Sequence, residues 1–277
     1  MKIGKFSNMI KMLLVMVLLI ITEQIAFSQC IDHERIRQGS PFSSYKHSRY
    51  VNTDTITYTD VYYFDANGKV DGDYGNGNYL VNDAIDIKQA ATDAQKYRLK
   101  VENAIKAYAG NRFFSELHFN FTAVLYPERV EVPIDNEHRK IEVVYEKIKD
   151  DFKYVYFYDF KADSMSSCEF RFEVDRFGKI IPRFDFPPKD RYRPINKHFT
   201  YCRLINIARK AQKHIDPIGS IQLNYNVDTE RFYWVILQDI SDKPPGMHYF
   251  YEIQIDAADL TKVKQKRDLG EIGIPQE

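Results

Sequence analysis

Ile221-Gln-Leu-Asn-Tyr225-Asn-Val-Asp-Thr-Glu-Arg-Phe232-Tyr-Trp-Val235 decides how this chain is read, because an earlier stretch answers it. That stretch is Ile141-Glu-Val-Val-Tyr145-Glu-Lys-Ile-Lys-Asp-Asp-Phe152-Lys-Tyr-Val155. Ile, Tyr, Phe, an aromatic residue and Val fall in one ungapped register. After a slip of one residue, Phe170-Arg-Phe-Glu-Val-Asp175 answers Tyr251-Glu-Ile-Gln-Ile-Asp256. Two related β-rich blocks are the expected core.

Working outward, each block gains a helix. Ile87, Ala90, Ala91, Ala94, Tyr97, Val101, Ala104, Ile105 and Tyr108 recur at spacings of three and four, so a helix is expected over 87–109, closed by Gly110. Tyr201, Leu204, Ile205, Ala208, Ala211 and Ile215 predict a second helix over about 199–215. Alternation predicts strands at 55–64, 117–126, 141–146, 152–160, 167–175, 220–226, 231–239 and 247–256. The tail after Arg267 reads as loose. Pro182, Pro187, Pro188 and Pro194 mark a stiff crossover. The expected organisation is α+β: a signal peptide over 1–28, an irregular arm over 29–48, an enlarged first unit over 49–181, a Pro-rich linker over 182–196 and a second unit over 197–277. Whether the two sheets merge stays open.

Ala208 and Ala211 on the helix, Trp234-Val235 on a middle strand and Tyr251-Glu-Ile-Gln-Ile-Asp256-Ala257 on the last resemble PepSY-type domains. The likeness covers about 197–266 and, more faintly, 141–181. Where the family places a Thr-Gly turn, this chain has Ala258-Asp259-Leu260. The resemblance implies a small exported non-catalytic module that binds or restrains a peptidase.

Composition speaks to compartment and partners. Lys2, Lys5 and Lys11 precede ten apolar residues, Met12 to Ile21, and then Ala26-Phe-Ser28. Spanning a bilayer takes about 20 apolar residues, so this start reads as a cleaved signal peptide and not as a retained anchor. An alternative uses Cys30 as a lipidated residue, after the poorly matching Phe27-Ser28-Gln29. Removing 1–28 takes three Lys and one Glu from 39 basic and 39 acidic residues, leaving 36 and 38. A net charge of −2 offers no reason to expect nucleic acid or anionic lipid as partner. Of the three cysteines, a Cys168–Cys202 bridge is the pairing considered, with one thiol left over.

Chemical motifs are sparse. Ser43 and Lys46 have the SxxK spacing, but no helical pattern surrounds them. Asp65, Asn67, Asp71 and Asp73 with Gly68 and Gly72 make up part of a calcium loop, but its closing Glu is missing. An Asn-Gly turn explains the same residues, and calcium is kept as a weak alternative. The seven histidines have no HExxH or paired spacing. Trp234 and the aligned Tyr154 read as core residues on a middle strand, or else as exposed aromatics gripping a peptide or sugar. No catalytic residue or metal ligand is assigned. The function expected is a binding or regulatory module for a protein or peptide, periplasmic or secreted. The alternatives are an extracytoplasmic hydrolase with a dispersed site and a structural envelope protein.

Overall fold

A computed structural model describes residues 30–42, 56–69, 87–131, 144–147, 152–181 and 184–273. The fold is α+β and mostly strand, with two helices and two six-stranded sheets. The expected signal peptide and the residues Ser43, Lys46, Asp71 and Asp73 lie outside the described segments. No helix among the described residues is long and apolar enough to cross a membrane.

The chain divides into two bodies. One comprises Gly39–Arg193 with Asn224–Arg231. Its strands are β3 (Ile56–Phe64), β4 (Leu117–Glu131), β5 (Val144–Lys147), β6 (Lys153–Lys161), β7 (Ser167–Asp175) and β8 (Ile180–Ile181), ordered β3-β4-β6-β7-β8. Helix α1 spans Ile87–Phe114, but Gly110 has φ 83 and ψ 163, so the α conformation stops there and resumes for one further turn. The buried stripe Ala90, Ala94, Tyr97, Val101, Ile105, Ala109 and Phe113 covers the even-numbered face of β6. Tyr154, Tyr156, Tyr158 and Phe160 lie on that face, and the Tyr156 hydroxyl donates to Ala94 O at 2.7 Å. Phe113 packs on Phe160, Phe170, Phe186 and Tyr192 with ring centroids 5.2–5.9 Å apart. Burial of so many rings dominates the energetics here.

The other body comprises Met1–Gln38, Pro194–Leu223 and Phe232–Glu277. Helix α2 (Tyr201–Ala211) starts at Thr200, whose side chain accepts from Arg203 N at 3.1 Å. Strands β9 (Ile218–Asn226), β10 (Arg231–Gln238), β11 (Gly246–Asp256) and β12 (Val263–Ile272) follow as a meander. Tyr201, Leu204, Ile205 and Ala208 of the helix are buried, as are Ile221, Leu223, Trp234, Ile236, Ile253 and Ile255 of the sheet.

Several expectations are corrected. Strand β5 pairs with β4, not with β6, so 144–146, the described part of the expected strand, does not take the place that 220–226 takes in its own sheet. Pro127 does not end β4: β6 pairs with β4 up to Leu125 and β5 takes over at Glu128. The proline falls in the gap, where that side of the strand needs no donor. The arm is not irregular over its described part. It forms a 3₁₀ turn (His33–Arg35) and two short strands, β1 (Ile36–Arg37) and β2 (Pro41–Phe42), each parallel to β9. Two-residue strands carry no readable period. The expected linker supplies core: Phe186 is buried in one body and Ile195 in the other. The expected loose tail after Arg267 forms the second half of β12 as far as Ile272, and residues 274–277 lie outside the described segments.

Asp65-Ala-Asn-Gly68-Lys69 and Asp175-Arg-Phe-Gly178-Lys179 fold alike. In each, the Asp Oδ1 accepts two backbone N–H groups at 2.8–2.9 Å and the Gly N–H returns to the Asp carbonyl. Gly68 and Gly178 have φ +75 and +79. A side chain at 68 would meet only the flexible end of Gln95, whereas one at 178 would overlap the Tyr97 ring. Gly68→Ala is expected to cost about 1 kcal/mol. Gly178→Ala is expected to cost about 2–4 kcal/mol, because backbone strain and overpacking add. Urea denaturation of the two variants checks the order.

Candidate functional site

Asp256 starts the site by setting a turn. Its Oδ1 accepts from Ala258 N at 2.9 Å and Asp259 N at 3.1 Å, and its own N–H donates to Lys262 O at 3.0 Å. From there β11 and β12 pair without interruption from Ile255↔Val263 out to Gly246↔Ile272. Strand β10 pairs with β11 only over Glu252–Asp256. Residues 246–251 and 267–272 therefore form a two-stranded ribbon that runs on past β10. β12 ends the sheet order, so its outer side has no strand partner among the described residues.

Strand alternation gives this ribbon two faces. Odd-numbered residues continue the helix-covered face outward. Met247 is 56%, Tyr249 54% and Leu269 50% exposed, and Tyr249 lies directly opposite Leu269. The Arg267 guanidinium sits 4.3 Å from the Tyr249 ring centre. On the even-numbered face Phe250 lies over Gly270, where a Cβ would come within 3.1 Å of its ring.

Glu252 sits further in on the even face, opposite Lys266. Burial raises its carboxyl above the usual range. The Gln254 amide, donating at 2.5 Å, and the Lys266 ammonium at 3.8 Å oppose that, while neighbouring Asp268 adds to it. A carboxyl whose folded pKa is raised holds its proton more tightly when folded. Its stabilising contribution is present below the unfolded value near 4.5 and is lost as pH rises through the folded pKa. Glu252→Gln is therefore expected to melt higher than the parent protein at pH 7, with the difference closing toward pH 4. Melting curves across that range read it directly.

A second feature is a polar hollow of about 310 Å³ lined by Cys30, Asp32, Arg35, Arg209, Asp216 and Ile218 among others. Its charges satisfy one another. Arg209 donates twice to Asp216, at 2.9 and 3.0 Å, and this contact raises the guanidinium pKa. Arg35 lies 3.7 Å from Asp32 and 3.5 Å from Asp239 and also donates to Ile218 O. Asp239 is lowered, first by its hydrogen bonds from Ser241. Both shifts favour the charged forms and run away from the neutral range that acid–base catalysis uses.

The residues singled out in the sequence fall elsewhere. Trp234 is 0% exposed, with its ring 4.5 Å from Phe199 and 6.1 Å from Tyr201. Tyr154 is equally buried, edge-on to Tyr97 at 5.6 Å. Neither ring is open to a peptide or sugar; both fill cores. Asp65 Oδ1 serves its turn, while Asn67 contributes a backbone donor to it. No group of three His, Cys, Asp or Glu placed to hold a metal occurs among the described residues. The considered Cys168–Cys202 pairing is replaced by Cys30–Cys202, with Cα atoms 5.4 Å apart. Cys168 is a free thiol, fully buried, and burial pushes its pKa up.

No family model matches this chain, and no curated protein or solved structure matches it.

The thiol assignment is checked by titration. The unfolded, unreduced protein is expected to show one reactive thiol and the reduced protein three. Reduction is expected to cost about 2–5 kcal/mol of stability.

Proposed function

We propose that this chain is an exported, non-catalytic binding module that holds an extended segment of a protein against the outer edge of β12. The observation that carries the reading is the ribbon itself: a ten-residue edge strand beside three exposed apolar side chains. Main-chain donors and acceptors on such an edge pair with any extended chain, and neighbouring side chains choose which one. An apolar patch next to an open edge is a liability unless something covers it.

Duplication of one unit fits this reading. The series α1-β4-β6-β7-β8, interrupted in the chain by β5, and α2-β9-β10-β11-β12 each run from a helix into four strands that are neighbours in one sheet. In this alignment β4, and not β5, corresponds to β9. The third strand of each series ends in an Asp, 175 or 256, whose carboxylate receives two backbone N–H groups of the following turn. The PepSY-type resemblance over 197–266 adds the expectation that the held protein is a peptidase.

A photo-crosslinking residue placed at Leu269 in the producing cells tests this. The expected result is a discrete adduct heavier than the chain. The same residue at Leu99, exposed on α1, should give none. Equal trapping at both positions would overturn the reading.

A further inference from the structure

We propose that the outer edge of β12 takes the β12 of a second copy of this chain, antiparallel, about a two-fold axis at Leu269. This inference rests on the edge-binding reading and names its occupant as a second copy of this chain in place of a peptidase.

Symmetry narrows the choices first. Two antiparallel strands in one sheet are related by an axis perpendicular to that sheet. Such an axis keeps each face on its own side, so odd-numbered residues oppose only odd-numbered ones. The central candidates are then registers that place Arg267, Asp268 or Leu269 opposite itself.

Charge order decides among these. Lys264, Lys266 and Arg267 lie in the first part of β12, and Asp268 and Glu271 lie in the second. An antiparallel copy can therefore set a basic residue against an acidic one, and which pairs meet depends on the register. With Arg267 on the axis two guanidiniums face each other, and with Asp268 two carboxylates do. Like charges directly opposite are unfavourable. With Leu269 on the axis, Arg267 opposes Glu271 of the second copy, and the pair occurs twice.

Apolar surface points to the same register. Leu269, Tyr249 and Met247 share one face, and Tyr249 stands directly across from Leu269. An axis through Leu269 joins this patch to its own copy. Six exposed apolar side chains then form one patch across the join, flanked by the two Arg267–Glu271 pairs. The ribbon has the length for it, since segment 266–272 pairs with itself within the described strand.

Sedimentation velocity of the purified protein at rising concentration gives the test, with circular dichroism confirming that each variant is folded. The parent protein is expected to dimerise. Arg267→Glu and Glu271→Arg, each alone, make both cross-pairs like-charged and should weaken dimerisation about tenfold or more. The double variant restores opposite charges and should dimerise as the parent does. Mixing the two single variants should give a heterodimer, because each supplies the charge that the other lost. A parent protein that stays monomeric, or a dimer indifferent to both reversals, overturns the proposal. The Leu269 crosslink separates the two readings. A foreign adduct on a monomeric parent leaves the edge reading standing and removes the second copy. A charge-swappable dimer whose only Leu269 adduct is its own chain supports both, whereas equal trapping at Leu269 and Leu99 removes the edge reading and the second copy with it.

Discussion

The Asp256 carboxylate governs which side chains the last two strands present. A β-ribbon slipped by one residue exchanges its faces. The hydrogen bonds that Asp256 collects from Ala258 and Asp259 close the turn at one length, and that length fixes Ile255 opposite Val263. Everything outward follows in steps of two. Ile253 and Ile255 reach the core, Tyr249 and Leu269 emerge on the same side, and Glu252 is drawn under Gln254 and Lys266 on the other. The same use of an aspartate at Asp65 and Asp175 shows how often this chain relies on a side chain to hold a strand end.

Much of the fold was legible in residue spacing. The α1 stripe, its interruption at Gly110 and the burial of Trp234 follow from period and parity, because burial on one face leaves a regular trace. β12 left none. Val263-Lys-Gln-Lys-Arg-Asp-Leu-Gly-Glu-Ile272 has no apolar alternation, since an edge strand with few core contacts is free to carry charge. Half of the candidate site was therefore visible, as Met247 and Tyr249 on an expected strand, while Leu269 lay in a tail read as loose. The correspondence between 141–146 and 221–226 misled for a related reason. Ile141, Val143 and Tyr145 alternate as a strand should, but alternation does not say which neighbour the strand joins. That choice depended on β4 continuing past Pro127.

The ribbon and the hollow differ in how their charges are used. In the hollow beside Cys30, each guanidinium already has a carboxylate, so a ligand there would have to displace a protein partner. Along β12, basic residues precede acidic ones, and only some of them are matched among the described residues. An incoming strand meets an uneven row of charges whose sequence it can complement or oppose.

Cys168 has a consequence for how the covalent structure is reached. It leaves the ribosome before Cys202, so the first partner that Cys30 can meet is the wrong one. Its thiol ends fully buried on β7. Packing of the strands around it withdraws this one sulfur from exchange with the other two. A chain oxidised ahead of that packing would be locked to the wrong strand.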